Sequence, residues 1–256
     1  MRLVVKIGTS VIAPGGRVDA RRMRLLVDQL DLANHEYILV TSGAVAGGMS
    51  SLGLKERPTD LSLMQASAAV GQSQLMHTYE QLFFGKKVVA QLLVSSDDFT
   101  SATRFQNFSN TLRKLLELKV LPIINENDSV SVRELEGAFG DNDELSALVA
   151  RAVKADWLIL LSDVEGFYRQ NGHPTPRLLR TVRHVTPAME ADCNGNGSLG
   201  RGGMQSKLRA AKLAMESGIQ VAIANGTRPS VIPSVLKHRA GTYFPALPPR
   251  SRREGQ

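Results

Sequence analysis

Two lysines next to glycine-rich turns are the residues of this 256-residue chain with the clearest potential for chemistry. Lys6 lies near the end of the apolar run LVVKI and is followed by Gly8, and Lys207 follows the stretch GRGGMQS. Lysine ammonium groups and the free N–H groups of a helix start both attract phosphate. Each motif also has a simpler explanation, a lysine reaching solvent at a strand edge or a flexible glycine-rich connection. Together they predict a site for a phosphate-bearing anion.

Carboxylates and amides follow two further segments of the chain. Residues 125–128 read NEND after the apolar run VLPII, and residues 140–143 read GDND before a helical pattern. Such oxygen-rich groups could hold a magnesium ion or an amino group. Asp141 or Asn142 could instead cap the helix, because helix caps favour these residue types. A cap would explain only one of these polar groups.

Small residues after two other apolar runs leave room for a ligand. Ser42 follows ILVT, and Ser162 and Asp163 follow WLILL. Small side chains allow a ligand to approach the backbone at a helix start, although ordinary strand–helix turns look the same. The chain contains no GxxxxGK[ST] loop, so any nucleotide is expected to bind by a different arrangement.

The combination of these groups predicts phosphoryl transfer to an anionic acceptor. Phosphoryl transfer depends mainly on positioning and on neutralisation of charge. A carboxylate acceptor is already ionised at neutral pH and needs no general base, so the main obstacle is repulsion between the two reactants. Two lysines, a magnesium ion held by aspartates and glycine-rich helix starts would overcome that repulsion.

The five histidines lie outside these motifs, and we expect surface or structural roles for them.

The elements that must position these groups alternate between strands and helices. A nearly continuous apolar run, as expected of a strand covered on both faces, predicts each strand. Apolar residues spaced three and four positions apart predict each helix. The predicted strands are 3–7, 37–41, 88–93, 120–124, 157–161 and 219–224. The helical stripes are Met23, Leu26, Val27 and Leu30 after an Asp19 N-cap; Leu145, Leu148, Val149 and Ala152; and Met204, Leu208, Ala211 and Met215. This alternation predicts an α/β sandwich with a mostly parallel sheet, whose ligands bind at the carboxyl ends of the strands.

The net charge of +7 raises the question of a nucleic-acid partner. Two arginine clusters carry much of it: Arg17, Arg21, Arg22 and Arg24, and then Arg250, Arg252 and Arg253. Aromatic residues make up 5% of the chain and do not alternate with the arginines, so we expect a solvated surface and no nucleic-acid partner.

Composition also bears on the compartment. The chain has no apolar run of about 18 residues, its N-terminus lacks a signal-peptide pattern, and Cys193 is the single cysteine. We therefore expect a cytoplasmic protein without a membrane partner or a disulfide framework.

Seven stretches resemble the sequence blocks of one protein family in order and spacing. They are VVKIGTSV, VTSGAVAGG, AAVGQSQL, INENDSV, GDNDELSALVA, LLSDVEGFY and GRGGMQSKLRAA. Over almost its whole length the chain resembles the amino acid kinase family. The combination of INEND with GDND resembles the members that phosphorylate glutamate, rather than the kinases for aspartate or acetylglutamate.

The resemblance implies a single domain, residues 1–256, with a three-layer αβα sandwich. About 1–150 would form a glutamate-binding lobe and about 151–256 an ATP-binding lobe. The implied reaction uses ATP and Mg²⁺ to convert L-glutamate into L-glutamyl 5-phosphate, the first step of proline synthesis. Proline as a feedback inhibitor and assembly into a homo-oligomer are further expectations.

The resemblance also implies roles for individual residues. The implied catalytic residues are Lys6, Lys207 and Asp143, and the two lysines would stabilise the transferred phosphoryl group. Asp141 would lie near the magnesium ion. Glutamate would be held by Ser42, Asp128 and Asn142. The implied ATP-binding residues are Lys6, Gly8, Ser162, Asp163, Arg201, Gly202, Gly203, Met204, Gln205, Ser206 and Lys207.

Three features depart from the family pattern. Arg201 stands where many members have a small hydroxyl residue, and Ser162 stands in place of a common threonine. The chain ends soon after the strand-like residues 241–244, so no C-terminal PUA domain, a module resembling RNA-binding domains, is expected.

Two alternatives to a glutamate-phosphorylating kinase stay open. One is a kinase of the same fold for another acceptor, such as acetylglutamate, aspartate, carbamate or UMP, and the other is a binding module without activity.

Overall fold

Strands and helices alternate in the computed structural model, which describes residues 1–130, 142–169, 175–193 and 203–248. The strands of these residues are β1 (Arg2–Ile7), β2 (Glu36–Val40), β3 (Val89–Val94), β4 (Leu121–Glu126), β5 (Trp157–Ser162), β6 (Tyr168–Arg169), β7 (Arg177–Leu178), β8 (Gln220–Asn225) and β9 (Thr242–Phe244). The six strands predicted from sequence are confirmed as elements, each with bounds that differ by one or two residues.

The helices of the described residues vary widely in length. They are α1 (Thr9–Ile12), α2 (Ala20–Val27), α3 (Ala44–Ser51), α4 (Leu61–Phe83), α5 (Asp97–Thr100), α6 (Ala102–Glu117), α7 (Asn142–Ala152), α8 (Pro187–Asp192), α9 (Gly203–Glu216) and α10 (Val231–Leu236), with a 3₁₀ turn at Pro14–Gly16. The predicted cap of α2 is confirmed, because the Asp19 side chain accepts hydrogen bonds from the backbone N–H groups of Arg21 and Arg22. Leu30 was wrongly assigned to this helix, which ends at Val27.

A seven-stranded sheet forms the centre of the fold among the described residues. Its strand order among the described residues is β3-β4-β2-β1-β5-β8-β9, and every neighbouring pair is parallel except β8 and β9. The central strand β1 pairs with β2 on one side and β5 on the other, so Lys6 lies between Val40 and Leu160. The first four strands of the sequence thus lie on one side of the β1–β5 junction, and β5, β8 and β9 lie on the other.

Helices cover both faces of this sheet, and each face has its own core. Val4 of β1 belongs to the core beneath α6, α7 and α9. Leu3, Val5 and Ile7 belong to the core beneath α2, α4 and α10. Each fully buried aliphatic side chain contributes about 1.5–3 kcal/mol, so these cores hold the three layers together. The predicted three-layer αβα fold is confirmed.

Three parts of the fold differ from the sequence expectation. Strand β3 forms an edge, with exposed Gln91 and Leu93, although its run was interpreted as covered on both faces. The short antiparallel pair β6–β7 was not predicted. None of the helices in the described part of the chain is long and apolar enough to span a bilayer.

Candidate active site

Three charged side chains meet at the carboxyl end of β1. Lys6 Nζ lies 2.7 Å from Asp143 Oδ1, and Lys207 Nζ lies 2.8 Å from Asp143 Oδ2. Lys6 is 4% exposed, Asp143 0% and Lys207 7%. Because a buried charge is strongly destabilising unless it is paired and hydrogen-bonded, the shared carboxylate is a main reason why both lysines can lie inside the protein.

Local sequence patterns explain this convergence. Side chains alternate across a strand, so Lys6 faces the same layer as Val4, toward α7 and α9. Asp143 is the second residue of α7, and Lys207 lies in the second turn of α9. Lys207 Nζ also donates to Gly203 O at 3.0 Å, and the Ser206 hydroxyl lies 3.0 Å from Asp143 Oδ2.

The charge state of Asp143 follows from two opposing effects. Burial alone would raise the pKa of this carboxyl group, since burial penalises the charged form. The charges of Lys6 and Lys207 and their hydrogen bonds outweigh burial, so the pKa of Asp143 lies below the ordinary value. Asp143 is therefore a carboxylate throughout the neutral range.

A cavity of about 260 Å³ opens beside this cluster, and we call it the lysine cavity. Its walls come from the turns after β1, β2 and β5 and from the start of α9. The lining residues are Lys6, Gly8, Thr9, Ser10, Ser42, Ser162, Asp163, Val164, Gly203, Met204 and Lys207. The Ser162 hydroxyl donates to Asp163 Oδ1 at 3.1 Å. The lysine cavity therefore combines two cations with several hydroxyl groups and one exposed carboxylate.

Glycine gives room at one wall of the lysine cavity. Gly8 N donates to Leu161 O at 3.1 Å, which ties the turn after β1 to β5. A Cβ at position 8 would lie 3.1 Å from that same carbonyl oxygen, closer than most side-chain contacts. Gly8 therefore allows the turn to lie directly against β5.

A second cavity, of about 570 Å³, lies between α4 and the end of β4. We call it the amide cavity, and its lining residues are Ala44, Ala68, Ala69, Gln72, Ser73, Met76, His77, Glu80, Gln91, Leu93, Glu126, Asn127, Asp128 and Ser129. Ser42 lines the lysine cavity and Ala44 lines the amide cavity. The turn between them contains Gly43 at φ +95°, a backbone conformation that glycine adopts readily. One tight turn therefore contributes to both cavities.

A row of three buried amides connects the two regions. Asn142 Nδ2 donates to Thr41 O and to Asn125 Oδ1, both at 2.9 Å. Asn125 Nδ2 in turn donates to Gln72 Oε1 at 2.8 Å. Tyr79 lies 2.9 Å from the Thr41 hydroxyl, and burial raises the pKa of Tyr79 to about 12, so it stays neutral. The amide row is thus uncharged and tied to the sheet.

Helix α4 carries Gln72 into this position by a close crossing with α3. A Cβ at Gly71 would overlap Ala44 O, and a Cβ at Gly48 would overlap Ser67 O. The two helix backbones can approach this closely only because both positions are glycine.

Comparison with known proteins identifies the family. The model of the amino acid kinase family matches residues 1–225. The chain belongs to the amino acid kinase family. It is 45% identical over 253 residues to glutamate 5-kinase of Clostridium acetobutylicum, which covers 95% of this chain and 94% of the relative. It is 43% identical over 254 residues to glutamate 5-kinase 2 of Bacillus subtilis, which covers 96% and 68%. This chain is therefore a glutamate 5-kinase homologue within the family.

Solved structures of other kinases resemble the fold of the chain at lower sequence identity. Carbamate kinase from Giardia lamblia bound to AMP-PNP has a TM-score of 0.65 and 16% identity, covering 96% of this chain and 98% of that one. An isopentenyl phosphate kinase has a TM-score of 0.63 and 18% identity, covering 95% and 100%. Identities this low establish the fold alone.

The structure brings together some of the predicted amino acid kinase site residues and not others. Ser42 joins Lys6 and Lys207 in the lysine cavity, whereas Asp128 lies in the amide cavity. Gln205 and Ser206 do not line the lysine cavity, although Ser206 contacts Asp143. Asp141, Arg201 and Gly202, like the arginines of the tail, lie outside the described residues.

Asn142 was considered as a possible helix cap, and the structure excludes this role. It is the first residue of α7, and its Oδ1, the atom that would accept from the free N–H groups of the helix, has no hydrogen-bond partner in the described part of the chain. Its Nδ2 donates to Thr41 O and to Asn125 Oδ1. Its side chain instead forms the end of the amide row.

Sequence reasoning missed two residues of the amide cavity, Gln72 and His77. His77 was expected to have a surface or structural role, and the structure places it, exposed, at the wall of the same cavity as Asp128. Gln72 is 8% exposed and takes a position on the buried stripe of α4 with Ala68, Leu75 and Tyr79. A polar side chain on such a stripe is the signal that could have drawn attention to Gln72.

The described residues limit how a magnesium ion could be held at this site. They contain no group of three histidine, cysteine or acidic residues placed to hold a metal. Both oxygens of Asp143 face lysines, which leaves Asp163 as the carboxylate lining the lysine cavity. Mg²⁺ often takes only one or two carboxylates beside substrate phosphates, so this donor set fits an ion that arrives with a nucleotide.

Proposed function

We propose that the protein transfers the γ-phosphoryl group of ATP to the side-chain carboxylate of L-glutamate, forming L-glutamyl 5-phosphate. The observation that carries this proposal is the convergence of Lys6 and Lys207 on Asp143 at the wall of the lysine cavity. The identity to glutamate 5-kinases over nearly the full chain supports glutamate as the acceptor.

The chemistry needs electrostatic stabilisation more than proton transfer. The acceptor carboxylate is ionised at neutral pH, so no general base has to activate it. The γ-phosphate is also negative, and bringing the two together is the difficult step. Lys6 and Lys207 stabilise the charge on the oxygens of the phosphoryl group as it passes in line between donor and acceptor.

Asp143 orients the two lysines and does not contact the reactants. Each of its oxygens faces one ammonium group, which fixes the position of both cations before the substrates arrive. Preorganised charge of this kind lowers the barrier because little reorganisation remains for the reaction itself.

The two cavities divide the binding of the substrates. The nucleotide phosphates bind in the lysine cavity, with Gly8, Ser162, Asp163, Gly203 and Met204 at its walls. Arg201, Gly202, Gln205 and Ser206 belong to the same nucleotide-binding set by family resemblance. Asp163 and, by resemblance, Asp141 would hold Mg²⁺, which would supply additional positive charge to the phosphates.

Glutamate extends from the amide cavity toward the lysine cavity. Asp128 attracts the α-ammonium group, while Ser42 and Asn142 flank the path of the side chain. The turn shared by the two cavities supports this path, because it places Ser42 on one side and Ala44 on the other.

Further parts of the proposal rest on the family alone. They are a cytoplasmic location, a role in proline synthesis with inhibition by proline, assembly into a homo-oligomer, and division into a glutamate lobe of about 1–150 and an ATP lobe of about 151–256.

The proposal is tested by trapping the acyl phosphate with hydroxylamine. Purified protein is incubated with ATP, Mg²⁺ and L-glutamate, N-acetylglutamate or L-aspartate, while ADP release is followed in parallel. We expect hydroxamate and ADP with L-glutamate well above the other two acceptors. A protein that binds ATP yet releases no ADP when glutamate is added would be a binding module, and the proposal would be wrong.

A further inference from the structure

The orientation of the amide row is fixed by one backbone group. Thr41 O can only accept a hydrogen bond, so the atom of Asn142 that faces it must be the NH₂ group. The same NH₂ group faces Asn125, which must present Oδ1 there and Nδ2 on its other side. Gln72 therefore has to present Oε1 to Asn125.

This orientation leaves the donor end of Gln72 directed away from the row. Gln72 is 8% exposed, and its Nε2 atom is buried without a hydrogen-bond partner in the described part of the chain. An unsatisfied buried donor is destabilising, so a ligand acceptor would be favoured at this atom. Gln72 cannot relieve this cost by flipping its amide, because a flip would place two NH₂ groups face to face.

The surroundings of Gln72 limit what that acceptor can be. Gln72 lines the amide cavity together with Asp128, Glu80, Glu126 and His77. Three of these neighbours are carboxylates that favour a cationic group of a ligand. The donor of Gln72 differs from them in offering a neutral N–H, and an anion bound beside an ammonium group matches this pairing.

We propose that Gln72 Nε2 donates a hydrogen bond to the α-carboxylate of the amino-acid substrate and so sets the preference for an α-amino acid over an amine that lacks this group. The inference rests on the proposed function, since it concerns the head group of the same acceptor. The ammonium group then lies toward Asp128, and the reacting carboxylate points toward the lysine cavity.

The proposal is tested by comparing L-glutamate with two analogues that each lack one head group. Glutarate lacks the ammonium group, and 4-aminobutyrate lacks the α-carboxylate. For each, kcat/KM is measured with the wild type and with Gln72→Met, which keeps the length of the side chain and removes the amide. We expect the wild-type preference for glutamate over 4-aminobutyrate to fall about 10- to 100-fold, the range for a hydrogen bond to a charged group. The preference over glutarate and the KM for ATP should change less than about threefold.

A second variant separates direct contact from an indirect effect through Asn125. Gln72→Glu keeps an oxygen for Asn125 Nδ2 and replaces the donor with a negative charge. We expect it to lose the preference over 4-aminobutyrate at least as strongly as Gln72→Met. If Gln72→Glu kept the wild-type preference, the acceptor side of Gln72 would be the one that matters, and the proposal would be wrong.

The matched control is Gln74→Met, an exposed glutamine on the same helix that bonds to Ser51 outside the amide cavity. It should behave as the wild type with every acceptor. Thermal unfolding of each variant identifies loss of structure, and Gln72→Glu decides the question if Gln72→Met does not fold. A wild type inactive with glutamate refutes the proposed function, whereas an active wild type with unchanged preferences in both Gln72 variants refutes only the role of Gln72.

Discussion

The lysine cavity and the amide cavity place polar groups at the carboxyl end of the sheet by different physical means. At the lysine cavity, Lys6 and Lys207 carry full charges into the interior around Asp143. At the amide cavity, the row from Gln72 to Asn142 is neutral and is fixed by hydrogen-bond direction. Charged side chains lie where a phosphoryl group would be transferred, and hydrogen bonds of fixed direction lie where an amino acid would be recognised. The two regions should therefore respond to mutation in different quantities, one in turnover and stability and the other in substrate preference.

The largest effect is expected from Asp143→Asn. The change leaves two buried lysines without their shared counter-charge, and breaking a buried ion pair costs about 3–5 kcal/mol of unfolding free energy. Urea unfolding at neutral pH measures the loss. The control is Asp28→Asn, whose ion pair with Lys86 is half exposed and should contribute less than about 1 kcal/mol. Equal losses in the two variants would remove the distinction between buried charge and surface charge.

The same carboxylate gives a pH dependence of stability. The pKa of Asp143 is lowered in the folded protein, so its stabilising contribution is fully present above the pKa of the unfolded state. That contribution is lost as the pH falls below the ordinary aspartate range toward the folded value. The difference in unfolding free energy between wild type and Asp143→Asn should therefore shrink as the pH falls into the acid range. A difference that shrinks as the pH falls from 8 to 6 would contradict this assignment.

Lys207→Ala tests the charge of the lysine cavity through turnover. Removing one preorganised donor to a transition state lowers kcat by about 10²- to 10³-fold. The KM for glutamate should change far less, because the charge is needed most during transfer. Lys6→Ala should behave in the same way. Lys212→Ala, a partly exposed lysine on the same helix, is the control and should retain wild-type turnover.

Gly71→Ala tests the amide cavity through its geometry. The added methyl group would overlap Ala44 O and force α4 away from α3, at a cost of about 1–3 kcal/mol for overpacking. The shift moves the neighbouring Gln72, so the KM for glutamate should rise while the KM for ATP stays near the wild-type value. Gln74→Ala on the exposed side of α4 is the control. A rise in both KM values would mean that the two cavities are not independent.

The smallest effect is expected from Ser162→Ala. Its hydroxyl donates to Asp163 Oδ1 in the lysine cavity, and one such hydrogen bond contributes about 0.5–1.5 kcal/mol. The KM for ATP should rise about two- to tenfold with no change in the KM for glutamate. Ser162→Thr retains the hydroxyl and should stay close to the wild type.

The fold was accessible from sequence because its strands are continuous apolar runs separated by regular helical stripes. The exception is instructive. The run at β3 has the composition of a covered strand but lies at the edge of the sheet, since composition reports how apolar a strand is and not which neighbours it acquires. The pair β6–β7 was missed because two residues are too few to show a period.

The site was accessible only where a residue type is unusual for its element. Lys6 at the end of a buried strand drew attention for that reason, and it contacts Asp143 as expected of a charge brought inside. Gln72 did not, because a glutamine within a long helix is ordinary until the structure shows that it is buried. The orientation of the amide row depends on Thr41 O, a backbone atom that no sequence motif displays.

The position of β1 has a mechanical consequence. Lys6 is registered with Val40 of β2 on one side and Leu160 of β5 on the other, so the strand joins the two halves of the chain through continuous backbone hydrogen bonds. The two sides of the sheet cannot move apart along β1 without breaking these backbone hydrogen bonds. In the proposed reaction, the substrates would therefore meet above a rigid part of the sheet, and any closure around them would come from side chains and turns at its edge.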